Sequence, residues 1–193
     1  LPCWGVRVSL RNLDGVLKHY YATRDDDVVS DFYKPCLANS KYYFRGVGYF
    51  RSSVFKLMTD ELIRFCLKGG EMTILTSTDV DPEDHKAALE GYNLSSFYDT
   101  LESMLDDETM EKPTKLLCAM VATGHLTIKI AVVARGGIYH DKVGYFRDSG
   151  ESANIVAFNT LKLISCFLKY SFISSKVSSP FPKLISAPII NRI

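Results

Sequence analysis

The chain has 193 residues, of which 47% are hydrophobic and 23% charged, with a formal net charge of +1. That length fits one domain, or one domain with a short appendage, and the composition excludes a disordered or collagen-like chain. The near-neutral total averages two unlike segments. Residues 1–159 hold 18 basic and 22 acidic residues, net −4, whereas 160–193 hold five basic residues and no acidic one, net +5.

Five cysteines (Cys3, Cys36, Cys66, Cys118 and Cys166) are odd in number and lack any CxxC pair. They read as reduced, mostly buried thiols of a cytoplasmic protein rather than as a disulfide framework. No stretch reaches the ~18 consecutive apolar residues that a membrane span requires, so no membrane partner is expected. The start Leu1-Pro2-Cys3-Trp4 has neither an initiator Met nor a signal-peptide pattern, as in a fragment or processed chain.

In chain order, residues 1–30 are mixed and polar, ending in the acidic run Asp25-Asp26-Asp27, a solvated surface. Residues 31–37 read as a short helix. Residues 42–50 are aromatic and β-prone, and Gly46 and Gly48 within them mark a bulge or a close backbone approach. Ser52 or Ser53 caps a helix whose apolar positions, Val54 to Cys66, recur at helical spacing and which Gly69-Gly70 ends. Residues 72–76 form a strand. Asp81-Pro82-Glu83-Asp84 starts a helix, with Asp as cap, Pro in the first turn and acids at the positive end of the dipole.

Residues 94–110 read as helical with an acidic surface, and Pro113 to Gly124 bound a further helix. Strands follow at 126–134, 138–147 and 153–158, with turns at Gly136-Gly137 and 148–152. This order predicts an α/β layer with a mixed sheet. Residues 160–193 break the style, with seven Ser, three Pro and no sustained periodicity beyond a possible element at 161–173. They form a separate basic tail, either a native extension or out-of-frame or junction sequence.

The segment that carries chemistry is Ile138-Tyr139-His140-Asp141-Lys142-Val143-Gly144-Tyr145-Phe146-Arg147-Asp148. On a strand His140, Lys142, Gly144 and Phe146 share one face, with His140 and Lys142 roughly 6.5 Å apart along the axis. An imidazole can then reach a phosphorus while an ammonium holds its oxygens, and Gly144 leaves the approach open. Tyr139, Val143 and Tyr145 face the other way, where a helix layer is expected to cover them. Two residues alone also fit an ordinary exposed pair on an edge strand.

The arrangement resembles the phospholipase D superfamily, whose hallmark is His-x-Lys followed a few residues later by Asp. Further words extend the resemblance to the nuclease-like branch that precedes bacterial helicase domains: Asp31-Phe32-Tyr33-Lys34-Pro35, Arg45-Gly46-Val47-Gly48-Tyr49-Phe50-Arg51-Ser52-Ser53, Leu75-Thr76-Ser77, Glu90-Gly91-Tyr92, Leu126-Thr127-Ile128-Lys129-Ile130 and Val156-Ala157-Phe158. It covers about residues 10–159. The resemblance implies a phospholipase D-like layered fold with a mixed β-sheet flanked by helices, possessing the C-terminal part of that fold only incompletely, since Asn159 is followed by Thr160-Leu161-Lys162-Leu163 where the family carries Gly-Ser-x-Asn.

The same resemblance implies phosphodiester hydrolysis without a cofactor or metal. His140 attacks phosphorus to give a phosphohistidine, a second histidine protonates the leaving oxygen, and Lys142 stabilises the non-bridging oxygens. Asp148 orients or charge-balances a histidine. His19, His85 and His125 lack a Lys two residues on, so the second histidine is expected from a homodimer pairing two copies of His140. DNA or another nucleic acid is the expected partner, with a helicase domain or subunit beside it. Arg45 and Arg51 are candidates for the nucleic-acid backbone, set against solvated strand-end arginines. Ser52 and Ser53 read as caps, and the aromatics of 42–50 as core rather than a base-stacking platform. The alternatives are a catalytically degenerate module binding DNA or a partner, and phospholipid hydrolysis, which no amphipathic membrane stretch supports.

Overall fold

Period-two alternation of apolar side chains generates the centre of the sheet, because each strand can then offer one face to a helix layer. The computed structural model describes residues 9–22, 24–96, 112–132, 139–150, 154–158 and 186–188. Strands β1 (Tyr42–Val47), β2 (Glu71–Thr76) and β3 (Leu126–Ala131) run parallel, with Tyr43 opposite Met72 and Met72 opposite Leu126. β4 (Lys142–Arg147) lies antiparallel on the other side of β1, pairing Tyr43 with Phe146 and Val47 with Lys142. β5 (Asn154–Phe158) and the short β6 (Ser186–Pro188) occupy the two edges, giving the order β5-β4-β1-β2-β3-β6. The expected α/β class with a mixed sheet is what the chain adopts.

The helices are α1 (Lys34–Asn39), α2 (Thr59–Leu67), α3 (Pro82–Leu94) and α4 (Pro113–Ala122). All four supply buried side chains to one large core: Cys36 and Leu37, then Leu62, Phe65 and Cys66, then Ala87 and Ala88, then Leu116 through Val121. The sheet answers with Tyr43, Met72, Ile74, Leu126, Ile128 and Phe146, which the register places on one face. Tyr43 and Phe146 stack with centroids 4.3 Å apart and planes 4° from parallel. Asp81 caps α3 as read, its side chain accepting from the Glu83 N–H at 3.0 Å. Gly69 closes α2 at φ +73, a conformation that L side chains rarely adopt.

Four expectations change. The helix read from Ser52 to Cys66 is two elements, a 3-10 turn over Ser52–Leu57 and then α2. Met58, at φ −149 and ψ 33, breaks the helical path between them, and no side chain caps either start. Before α1 the backbone makes a π-helical turn over Val29–Tyr33, so the short helix read at 31–37 starts earlier and ends later. β4 begins at Lys142 rather than at 138, leaving His140 ahead of the strand. Among the described residues the helix layer covers the face of Phe146, not that of Tyr139. Tyr139 instead joins Leu75, Ala131 and Phe44 in a second, smaller cluster on the opposite face. The expected helical stretch through 97–110 and the element at 161–173 lie outside the described residues.

Candidate functional site at the carboxyl ends of the parallel strands

β1 and β2 run parallel and end together at Val47 and Thr76, so the segments leaving them emerge side by side. β4 is antiparallel to β1 and therefore begins where β1 ends, with Lys142 opposite Val47. His140 and Lys142 thus sit at the carboxyl edge of the parallel strands, the place where open α/β sheets present ligand-binding groups. Both side chains are exposed. Lys142 shares the face of Phe146, but Phe146 is fully buried under the helices while Lys142 lies beyond them.

The two glycines of Arg45-Gly46-Val47-Gly48 admit the chain that carries His140. A Cβ at Gly46 would meet the Tyr139 hydroxyl at 2.5 Å and Val143 Cγ1 at 2.8 Å. A Cβ at Gly48 would meet His140 Nδ1 at 2.7 Å, and His140 Cα and the Tyr139 carbonyl oxygen at 2.9 Å each. Of the two readings open from the sequence, bulge or close approach, the structure has close approach. Tyr139 is 9% exposed, and burial, with Asp141 adding to it, pushes its hydroxyl up to about 12. It therefore anchors the segment as an apolar, neutral ring.

Asp148 does not join these residues within the chain. It follows the far end of β4, about 20 Å from Lys142 at ~3.3 Å per strand residue. It is fully buried and accepts hydrogen bonds from Ser9 Oγ at 3.2 Å and from the Leu10 N–H at 3.3 Å. The expectation that it orients a histidine is corrected accordingly: Asp148 ties the entry segment to the end of β4.

Arg45 is corrected too. It lies mid-strand on the helix-covered face, between Ile74 and Gly144. Its Nη1 donates to the Tyr33 hydroxyl, and its guanidinium stands 5.4 Å from the Tyr33 ring centre. A half-buried cation with that partner is not the solvated strand-end arginine that the sequence offered as the alternative. Arg51 is different. Its side chain is 59% exposed, its Nε donates to the Tyr49 hydroxyl at 2.5 Å, and it stands 3.7 Å from Asp81. Of the serines read as caps, Ser52 is buried, and its backbone N–H donates to the buried Asp84 carboxylate at 2.6 Å.

Ser77 belongs to the word Leu75-Thr76-Ser77, in which nothing local gives it a role. It is 1% exposed, and its Oγ donates to the Gly48 carbonyl at 2.5 Å. The only signal that could have marked it was a polar residue directly after a buried strand, where its hydroxyl must find a partner. Among the described residues, no group of three or more His, Cys, Asp or Glu side chains is placed to hold a metal ion. Cys36, Cys66 and Cys118 are buried and free, and burial pushes the first two thiols up to about 12. No described helix is long and apolar enough to cross a membrane. Comparison with protein-family models and with curated proteins returns no match for this chain.

Proposed function

We propose that this chain is a phosphodiesterase module of phospholipase D type that hydrolyses nucleic-acid phosphodiester bonds through a phosphohistidine, working beside a helicase domain or subunit. The observation that carries this reading is the joint placement of His140 and Lys142. Both are exposed at the carboxyl edge of the parallel strands, and His140 rests against a glycine that leaves its ring room. The packed Nδ1 side leaves Nε2 as the outer nitrogen of the imidazole.

In the proposed reaction Nε2 of His140 attacks phosphorus, and the P–O bond to the leaving group breaks. A second histidine donates a proton to the leaving oxygen, then takes one from the water that cleaves the P–N bond. Lys142 offers fixed positive charge to the non-bridging oxygens as charge shifts toward them. Of the other histidines, His125 precedes β3, at the edge opposite the carboxyl ends, and His19 and His85 lack the Lys two residues on that would make a second copy of the pair. The reaction accordingly calls for a homodimer that brings two copies of His140 together. Exposed Arg51 is the basic side chain best placed to meet a phosphate backbone.

Cleavage of plasmid and single-stranded DNA in EDTA by wild type and His140→Ala is the test. Wild type is expected to cut and the variant to be inactive. Equal cutting by both rejects His140 as nucleophile. A second reading, a DNA- or partner-binding module without catalysis, is favoured by one observation: Thr160-Leu161-Lys162-Leu163 stands where Gly-Ser-x-Asn is expected. DNA binding without cutting by the wild-type chain would select it. Light scattering during gel filtration tests the dimer, and an active monomer would sink that part of the proposal.

A further inference from the structure

We infer that Ser77 is a positioning residue for His140, acting through the carbonyl group of Gly48. The functional consequence rests on the phosphodiesterase reading above; the mechanical link does not. Two loops leave the carboxyl ends of β1 and β2 side by side, and four contacts stitch them together. Ser77 Oγ donates to the Gly48 carbonyl at 2.5 Å, Phe50 and Val80 form a parallel bridge, Arg51 faces Asp81 at 3.7 Å, and the Ser52 N–H donates to Asp84 at 2.6 Å. The first of these is the one nearest His140.

Ser77 is bonded on both sides. Its hydroxyl gives its proton to Gly48 and accepts the Asp79 N–H at 3.2 Å, so the buried group both donates and accepts. The other side of Gly48 bears the Tyr139–His140 backbone and His140 Nδ1, at the distances that leave no space for a Cβ. Gly48 is thereby held between a short hydrogen bond and the candidate nucleophile. Among the described residues no hydrogen bond orients the His140 ring, so packing on Gly48 is what these residues offer to set its position. A change in where Gly48 sits is passed to the imidazole directly, because those contacts involve backbone as well as ring atoms.

A merely structural serine would stabilise the loops without tuning His140. The experiment that separates the two uses the full chain and its Ser77→Ala, Ser77→Thr and Ser77→Cys variants. Diethyl pyrocarbonate labels exposed imidazoles, and peptide mass spectrometry gives the His140 labelling rate relative to exposed His85 on α3. Ser77→Ala is expected to raise that ratio several-fold, and Ser77→Thr, which keeps the hydroxyl, to restore it. Where wild type cleaves DNA, Ser77→Ala lowers kcat by about 10- to 100-fold with little change in KM, as expected for a displaced reacting group.

An unchanged labelling ratio in Ser77→Ala overturns the inference. So does a ratio altered equally by Ala and Thr, which would make Ser77 packing alone. Should Ser77→Ala fail to fold, Ser77→Cys, close in size but a far weaker donor to the Gly48 carbonyl, decides: a raised ratio supports the link and a wild-type ratio refutes it. Failure of the wild-type chain to cleave would defeat the phosphodiesterase reading only, since the labelling measures the link without turnover.

Discussion

At one end of β4, Lys142 and the preceding His140 stand in solvent, with glycine as the floor beneath the imidazole. At the other end Asp148 is completely enclosed, its carboxylate accepting from Ser9 and Leu10. Between them Phe146 is locked under the helices, stacked on Tyr43. Residues that a linear motif groups as one unit are divided by the strand into an exposed end and a buried end. The difference follows from extension: a strand separates its ends faster than any other regular structure, so six residues suffice to place two ionisable groups in unrelated environments.

Variants at the two ends should have opposite signatures. Lys142→Met is expected to lower the rate of phosphodiester cleavage by about 10²–10³-fold without moving the unfolding midpoint; a large loss of stability would contradict its placement in solvent. Phe146→Ala should cost about 3–5 kcal/mol of stability by opening a cavity beneath the sheet, measured by urea denaturation. A loss near zero would break the contrast from the buried side. Asp148→Ala should cost about 1–3 kcal/mol, because the buried Leu10 N–H loses its acceptor, while the His140 labelling rate stays at its wild-type value. A changed labelling rate would reconnect the two ends and restore a histidine-orienting role to Asp148.

The smallest effect is a pH dependence confined to the buried side. Burial pushes the Cys36 and Cys66 thiols up to about 12 from an ordinary 9.0, so folding favours their neutral form. The stability this represents is whole below pH 9 and drains away as pH rises from 9 toward 12. Denaturation midpoints should therefore fall over that range, and both thiols should resist alkylation in the folded protein at pH 8. Rapid alkylation there would show that the helix layer opens readily.

Much of the scaffold was legible in the residues. Asp81-Pro82 marked the start of α3 because a side-chain oxygen and a fixed φ act locally. Gly69 marked the end of α2 for a similar reason, and two missing side chains in a β-prone run marked Gly46 and Gly48 as a bulge or a close approach, of which the structure has the second. The break at Met58 was not, since Val54 through Cys66 keep helical spacing across it. Nor was the environment of Arg45 legible: an arginine in a strand looks solvated until Tyr33, twelve residues earlier, turns out to lie over it.

Local chemistry, then, determined the α/β alternation and the mixed sheet and nominated His140 and Lys142 as a candidate pair, because caps, turn glycines and period-two patterning act over a few residues. Only the tertiary structure decided which face of β4 the described helices cover, that Asp148 bonds to the entry segment, and that Ser77 bonds the carbonyl of the glycine against which His140 packs. Each of those depends on contacts between residues 29 to 139 positions apart. Such contacts are set by sheet register and strand order, and no pattern along one segment of chain encodes them.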